Sequence, residues 1–255
     1  MGIWDDLRLD GRVALVTGAS RGLGRAMALA LAEAGADVVL VARSRNELLD
    51  TASAVTGLGR RALALTADVA VEEEISGAVA RAVDTYGAVD ILVNNSGVAT
   101  VKPLVDMPPA EWRRILDTNL TGAFNCCRAV GPGMIARRRG KVVNIASVLG
   151  MRGLAGYSAY SASKGGLLAL TRGLAVEWAR HNIQVNAIAP GWFVTSMNEH
   201  AFAEPAVRER LLRDVPARRT GRPEELGSLV VYLASTASDY VSGEVVVVDG
   251  GFTAG

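Results

Sequence analysis

A short apolar run, Arg12-Val-Ala-Leu-Val-Thr17, passes directly into Gly18-Ala-Ser-Arg-Gly22-Leu-Gly24. Helix-compatible sequence follows from Arg25 to Ala34 and stops at Gly35. A buried strand that turns through glycines into a helix gathers bare backbone and free helix N–H groups at one point, an arrangement that cradles a pyrophosphate. The spacing is Gly-x3-Gly-x-Gly, not the commoner Gly-x-Gly-x2-Gly. The expected anion contacts are Gly18, Ser20, Arg21, Gly22, Leu23 and Gly24.

The same alternation recurs along the chain. Further strand-like runs are Asp37–Ala42, Ala62–Thr66, Val89–Val93, Lys141–Ala146, Ile183–Ala189 and Glu244–Asp249. Between them lie amphipathic stretches. One runs from Val71 to Tyr86, with Val71, Ile75, Val79, Ala82 and Val83 on one side, and another from Pro108 to Arg138 is predicted as one long helix. A third starts near Tyr160, and a fourth begins at Pro223 with proline in the first turn. Seven strands alternating with helices, without repeats or linkers, predict an α/β fold: a single Rossmann-type domain over residues 1–255 with a doubly wound parallel sheet. Half of the 255 residues are apolar, enough for one large core.

Where this second strand ends, a carboxylate would bind an adenosine ribose 2′-hydroxyl, whereas an arginine suits a 2′-phosphate. The chain has Ala42 and then Arg43, with Arg21 facing the same region from the glycine turn. Guanidinium forks match phosphate oxygens, so NADP(H) is expected over NAD(H), which stays possible. The alternative is two solvated surface arginines. The turn Asn94-Asn95-Ser96-Gly97 closes the fourth strand at the end where open parallel sheets bind ligands.

The chemistry-bearing residues lie later. Tyr160 and Lys164 are one turn apart on a helix face. A phenol beside an ammonium should ionise more readily, which makes Tyr160 a candidate general acid/base. Ser147 ends the fifth strand and can present its hydroxyl to the same substrate oxygen. Asn119 interrupts an apolar helix face and needs partners, either a backbone contact or a water near the site.

In this order the motifs resemble those of the short-chain dehydrogenase/reductase family from near residue 10 to the end. The carrying residues are Thr17-Gly-Ala-Ser-Arg-Gly-Leu-Gly24, Asp68-Val69, Asn94-Asn-Ser-Gly97, Asn119, Ser147 and Tyr160-x3-Lys164. Pro190-Gly191-x3-Thr195 and Val248-Asp-Gly-Gly251 complete them. Ser96 stands where the family usually has alanine. The resemblance implies hydride exchange between a nicotinamide and an alcohol or ketone. In it Tyr160 passes the proton, Ser147 polarises the oxygen, Lys164 lowers the tyrosine pKa and binds the nicotinamide ribose, and Asn119 holds a relay water. It implies cofactor contacts at Asp68, Val69, Asn95, Gly97, Pro190, Gly191 and Thr195, and a homotetramer.

Residues 192–216 break the alternation and are expected to form a substrate lid. Leu7–Thr17, Thr195-Ser-Met-Asn198 and Arg219–Glu225 resemble the sugar-acid branch of the family, which implies a gluconate-type substrate; the lid cations Arg208, Arg210 and Arg213 either attract its carboxylate or form a solvated helix face. Reductases of 3-oxoacyl chains on acyl carrier protein share the same core. For them Arg137–Arg139 would be the docking patch, or simply cations at a helix C-terminus. A non-catalytic cofactor-binding scaffold is the alternative from another class. A net charge of +1 with 5% aromatics gives no footprint for nucleic acid. With no leader pattern at the N-terminus and no apolar run of membrane length, no membrane partner and a cytoplasmic location are expected. Adjacent Cys126 and Cys127 suggest buried packing, with no metal site.

Overall fold

The computed structural model describes residues 2–195 and 199–254. A one-turn helix, α1 (Ile3–Asp6), precedes β1 (Val13–Thr17), α2 (Gly22–Glu33), β2 (Asp37–Ala42), α3 (Arg45–Gly57), β3 (Ala62–Thr66) and α4 (Glu72–Tyr86). Then come β4 (Ile91–Asn94), α5 (Pro109–Leu116), α6 (Gly122–Arg137), β5 (Gly140–Ile145), α7 (Ser158–Trp178) and β6 (Ile183–Pro190). The chain ends with α8 (Glu199–Ala203), α9 (Pro205–Arg213), α10 (Gly227–Ala234) and β7 (Val245–Val248). The seven strands form one parallel sheet in the order β3-β2-β1-β4-β5-β6-β7. Because β1 pairs with both β2 and β4, the strand order reverses there and a crevice opens at the carboxyl ends of the strands.

Alternate residues of each strand face opposite sides, so the strands feed two cores. Ala14 and Val16 pack with Met27 and Leu31 of α2 and with Val230 and Leu233 of α10. Val13 and Leu15 pack on the other face, with Ile75 of α4, Val130 and Met134 of α6 and Trp178 of α7. Both cysteines are free and buried in this second core. Burial pushes their thiols up, Cys127 to about 12, which leaves them as packing groups.

The structure departs from sequence expectation in three elements. Helix α3 was not foreseen: it buries only Leu48, Thr51 and Val55, too narrow a stripe to show as a periodic pattern. The predicted helix from Pro108 to Arg138 is two helices joined by a π-helical turn, Asp117–Thr121, with Asn119 buried at its centre. The segment opening at Pro223 begins as a 3₁₀ turn, Pro223–Leu226, before α10. Among the described residues no helix is long and apolar enough to cross a membrane.

Candidate active site

Gly18 and Gly22 have φ of +62° and +55°, a left-handed backbone that side chains rarely adopt, and between them the chain reverses from β1 into α2. Gly24 is needed for a different reason. A Cβ there would lie 2.2 Å from the Gly18 carbonyl oxygen and 2.4 Å from Asn95 Nδ2, so only glycine lets α2 press against the turn. Asn95 laces this turn to β4: its Nδ2 donates to the carbonyls of Thr17 (3.0 Å) and Gly18 (3.2 Å), and its N–H donates to Thr17 Oγ1.

Above the carboxyl ends of the strands lies a cavity of about 570 Å³. Its wall takes Asp68 after β3, Arg43 after β2, Gly18 after β1, Asn95 after β4, Ser147 after β5 and Pro190 at the end of β6. With neighbouring strands about 4.8 Å apart, the trough crosses about 24 Å of sheet. An extended dinucleotide needs that shape, and the α2 N-terminus opens on its middle. Ser20, Arg21, Gly22 and Leu23 from the glycine turn also line it, with Val69 and Gly97. Tyr160, Lys164, Gly191 and Thr195 complete the far end. Of the residues expected from sequence, Gly24 and Asn119 stand behind the wall, the first as a packing contact.

The reactive end is built by close approach. Ser147 closes β5 and its Oγ accepts from the Leu149 N–H (3.1 Å), which holds the 3₁₀ turn Val148–Gly150. A Cβ at Gly150 would come within 2.9 Å of the Lys164 carbonyl carbon, so this turn sits directly against α7. Lys164 is buried and its Nζ donates to the Ile145 carbonyl (2.7 Å). Asn119 is also buried. Its Oδ1 accepts from the Val98 N–H (2.7 Å), and its Nδ2 donates to the Val98 carbonyl (2.9 Å) and to Ser163 Oγ (3.0 Å). The Ser163 hydroxyl in turn donates to the Tyr160 carbonyl (2.7 Å). Asn119 therefore clamps the loop after β4 to the first turn of α7. Oδ1 of Asn119 and Nζ of Lys164 converge at Gly97, where a Cβ would be 3.5 Å from each.

The electrostatics correct one expectation. Burial pushes the Tyr160 phenol above its ordinary value, and a hydrogen bond with Ser147 works against that rise. Lys164 does not reverse it: its Nζ stands 5.8 Å from the ring centroid and is turned to the Ile145 carbonyl. Burial in turn pulls the Lys164 ammonium down to about 8. Helical spacing set the two residues on one face, but the lysine's partner was set by tertiary contact.

At the adenosine end Arg43 Nη1 lies 3.6 Å from Asp68 Oδ2, and Arg21 Nη1 donates to Glu47 Oε1 at 3.0 Å. Sequence reading missed Glu47, which lines the cavity from the first turn of α3; an acid two residues beyond Arg45 carries no signal until α3 is known. Of the two readings of the lid arginines, the structure fits the solvated helix face for Arg208 and Arg213. Arg208 and Arg213 line a separate cavity beside Phe202 and Leu212, because their helix turns its apolar face inward. Ser196, Met197 and Asn198 and the side chains of His200 and Arg210 lie outside the described residues. Arg137, Arg138 and Arg139 sit at the opposite, amino-terminal ends of the strands. There they bind the Val89 carbonyl, the Arg180 carbonyl and Asp90, so they are structural contacts remote from the cavity.

The chain has close relatives. A family profile described as enoyl-(acyl carrier protein) reductase matches residues 18–253. The 2-dehydro-3-deoxy-D-gluconate 5-dehydrogenase of Escherichia coli is 42% identical, over 96% of this chain and 97% of its own. A 3-oxoacyl-(acyl-carrier-protein) reductase of Thermotoga maritima is 39% identical over 96% and 99%. Among solved structures, a gluconate 5-dehydrogenase from Burkholderia cenocepacia, in complex with NADP and tartrate, superposes with a TM-score of 0.96 at 39% identity and full coverage of both chains.

Proposed function

The chain belongs to the short-chain dehydrogenase/reductase family, and from that premise we propose that it is an NADP(H)-preferring oxidoreductase of a secondary alcohol or ketone on a gluconate-type sugar acid. The observation that carries the reading is the meeting of Ser147, Tyr160 and Lys164 at one end of a dinucleotide-shaped trough whose other end holds Arg21 and Arg43. The nicotinamide, when bound, supplies or accepts the hydride. Tyr160 exchanges a proton with the substrate oxygen, and Ser147 holds that oxygen in place. Lys164, buried under Gly97, offers its ammonium to the nicotinamide ribose. Asn119 has both amide protons engaged, so the relay water it is assigned rests on its remaining carbonyl lone pairs. Residues 192–216 are read as the substrate lid, which is supported by the packing of Phe202, Leu212 and Val215 with Val148, Leu149 and Phe252 beside the reactive end. A homotetramer, a cytoplasmic location and one catalytic domain over residues 1–255 belong to the same reading.

Reduction of 3-oxoacyl thioesters is the second reading, favoured by the Thermotoga relative. Paired assays separate the two. Purified protein with NADP and sugar acids should generate reduced nicotinamide. Turnover of acetoacetyl thioesters with NADPH and none of any sugar acid would replace the first reading with the second.

A further inference from the structure

The arginines at the adenosine end are not bare cations. Arg21 is paired with Glu47 and Arg43 with Asp68, so the pocket for a 2′-substituent holds two guanidiniums and two carboxylates. Both pairs are substantially exposed, with side-chain exposures of 62% and 39% for Arg21 and Glu47, and pairs of that kind contribute little to stability. The Arg21–Glu47 geometry is nevertheless preset. The buried Thr51 hydroxyl is shared between the Ser20 carbonyl (3.3 Å) on the glycine turn and the Glu47 carbonyl (3.2 Å) on α3. Only Oε1 of Glu47 is used by Arg21. Oε2 is buried without any hydrogen-bond partner, on a residue that lines the cavity. That oxygen is closed off from the cavity, so the carboxylate gains the donor it lacks only when its side chain turns from Arg21 toward a ligand.

We propose that Glu47 is a specificity-determining residue of the cofactor site: it accepts a hydrogen bond from a ribose hydroxyl of NAD(H) and opposes the 2′-phosphate of NADP(H). This rests on the reading of the trough as a dinucleotide site. Arg43 occupies the position where a carboxylate would read the 2′-hydroxyl, and Glu47 supplies that carboxylate from the next helix. A 2′-phosphate must take Arg21 away from Glu47, and the displaced carboxylate then stands beside a dianion. At separations of about 5 Å that repulsion lowers affinity by up to about tenfold. Two opposed preferences in one pocket keep both dinucleotides usable, where unpaired arginines alone would make the site strict for NADP(H).

The test is the dissociation constants of NADP and NAD for wild type and Glu47→Gln, by isothermal titration at one ionic strength. Glu47→Gln should tighten NADP and weaken NAD, moving the ratio of the two constants at least fivefold toward NADP. An unchanged ratio, or a shift toward NAD, overturns the proposal. Glu47→Asp serves as the second variant should Gln disturb α3. By withdrawing the carboxylate one methylene from Arg21, it should move the ratio in the same direction by less. The wild-type ratio alone judges the NADP preference proposed above, whereas the change in ratio on substitution judges Glu47, so each can fail without the other.

Discussion

Replacing Lys164 by methionine keeps side-chain length and removes a buried charge. In the cofactor-free protein burial holds this lysine at about 8 against an ordinary 10.5, which corresponds to about 3 kcal/mol of preference for the neutral form. The folded-state value is the lowered one. The charged lysine therefore destabilises the fold fully below pH 8, and the penalty fades as the pH rises toward the unfolded-state value. At pH 7 the penalty is about 3 kcal/mol, and by pH 9.5 it has shrunk to about 1 kcal/mol. Methionine has no such dependence. Lys164→Met also strands the Ile145 carbonyl, which costs about 1–2 kcal/mol at every pH, so the diagnostic quantity is the slope. Any stability advantage of the variant over wild type should narrow by about 2 kcal/mol between pH 7 and 9.5. Urea unfolding at fixed protein concentration reads this as a midpoint difference that changes by about 0.7 M, for a slope of about 3 kcal/mol/M. A difference that stays constant across that range would refute the reasoning and place the ammonium in a solvated or paired environment.

Further substitutions address the other groups. Tyr160→Phe should lower kcat by at least about a hundredfold while the cofactor dissociation constant stays within about twofold, since only the proton-transferring hydroxyl is lost; a substantial residual rate would remove Tyr160 from the acid/base role. Gly24→Ala should cost about 1–3 kcal/mol, despite alanine's better helix propensity, because the added methyl meets backbone at 2.2 Å. Thermal unfolding and NADP titration check it, and wild-type values in both would mean that α2 can shift freely. Arg43→Asp should move cofactor preference toward NAD by about tenfold, losing a guanidinium for the phosphate and placing a carboxylate near Asp68. An unchanged preference in competitive binding would show that Arg43 does not read the phosphate.

Much of the molecule is legible from sequence because its strands are short, apolar and regularly spaced, and because the glycine turn needs left-handed backbone at Gly18 and Gly22 that few other residues supply. Ser147, Tyr160 and Lys164 were legible as a set through their order and spacing, and they do meet at one cavity. What escaped is what depends on contact between distant segments. Helix α3 hid because Leu48, Thr51 and Val55 make too sparse a stripe, and Glu47 hid with it. The direction of the Tyr160 shift was misjudged because one-turn spacing fixes only the side of the helix that a lysine shares, and the Ile145 carbonyl was the nearer partner. For the lid arginines, charge alone left a substrate contact and a solvated helix face equally open; Arg208 and Arg213 are exposed beside Phe202 and Leu212, away from the main cavity, as a solvated face would have them.

The π-turn at Asp117–Thr121 carries one residue more than a regular helix needs at that point. In length terms that residue is surplus: without it, α5 and α6 can splice into a single continuous helix while the sheet and both cores stay as they are. The Asn119 clamp between Val98 and Ser163 would be lost with it. The sheet and the Asn119 clamp are thus separable here by a single residue. A chain one residue shorter between Glu111 and Arg128 would keep the strands in place and lose the tie between Val98 and Ser163 of α7.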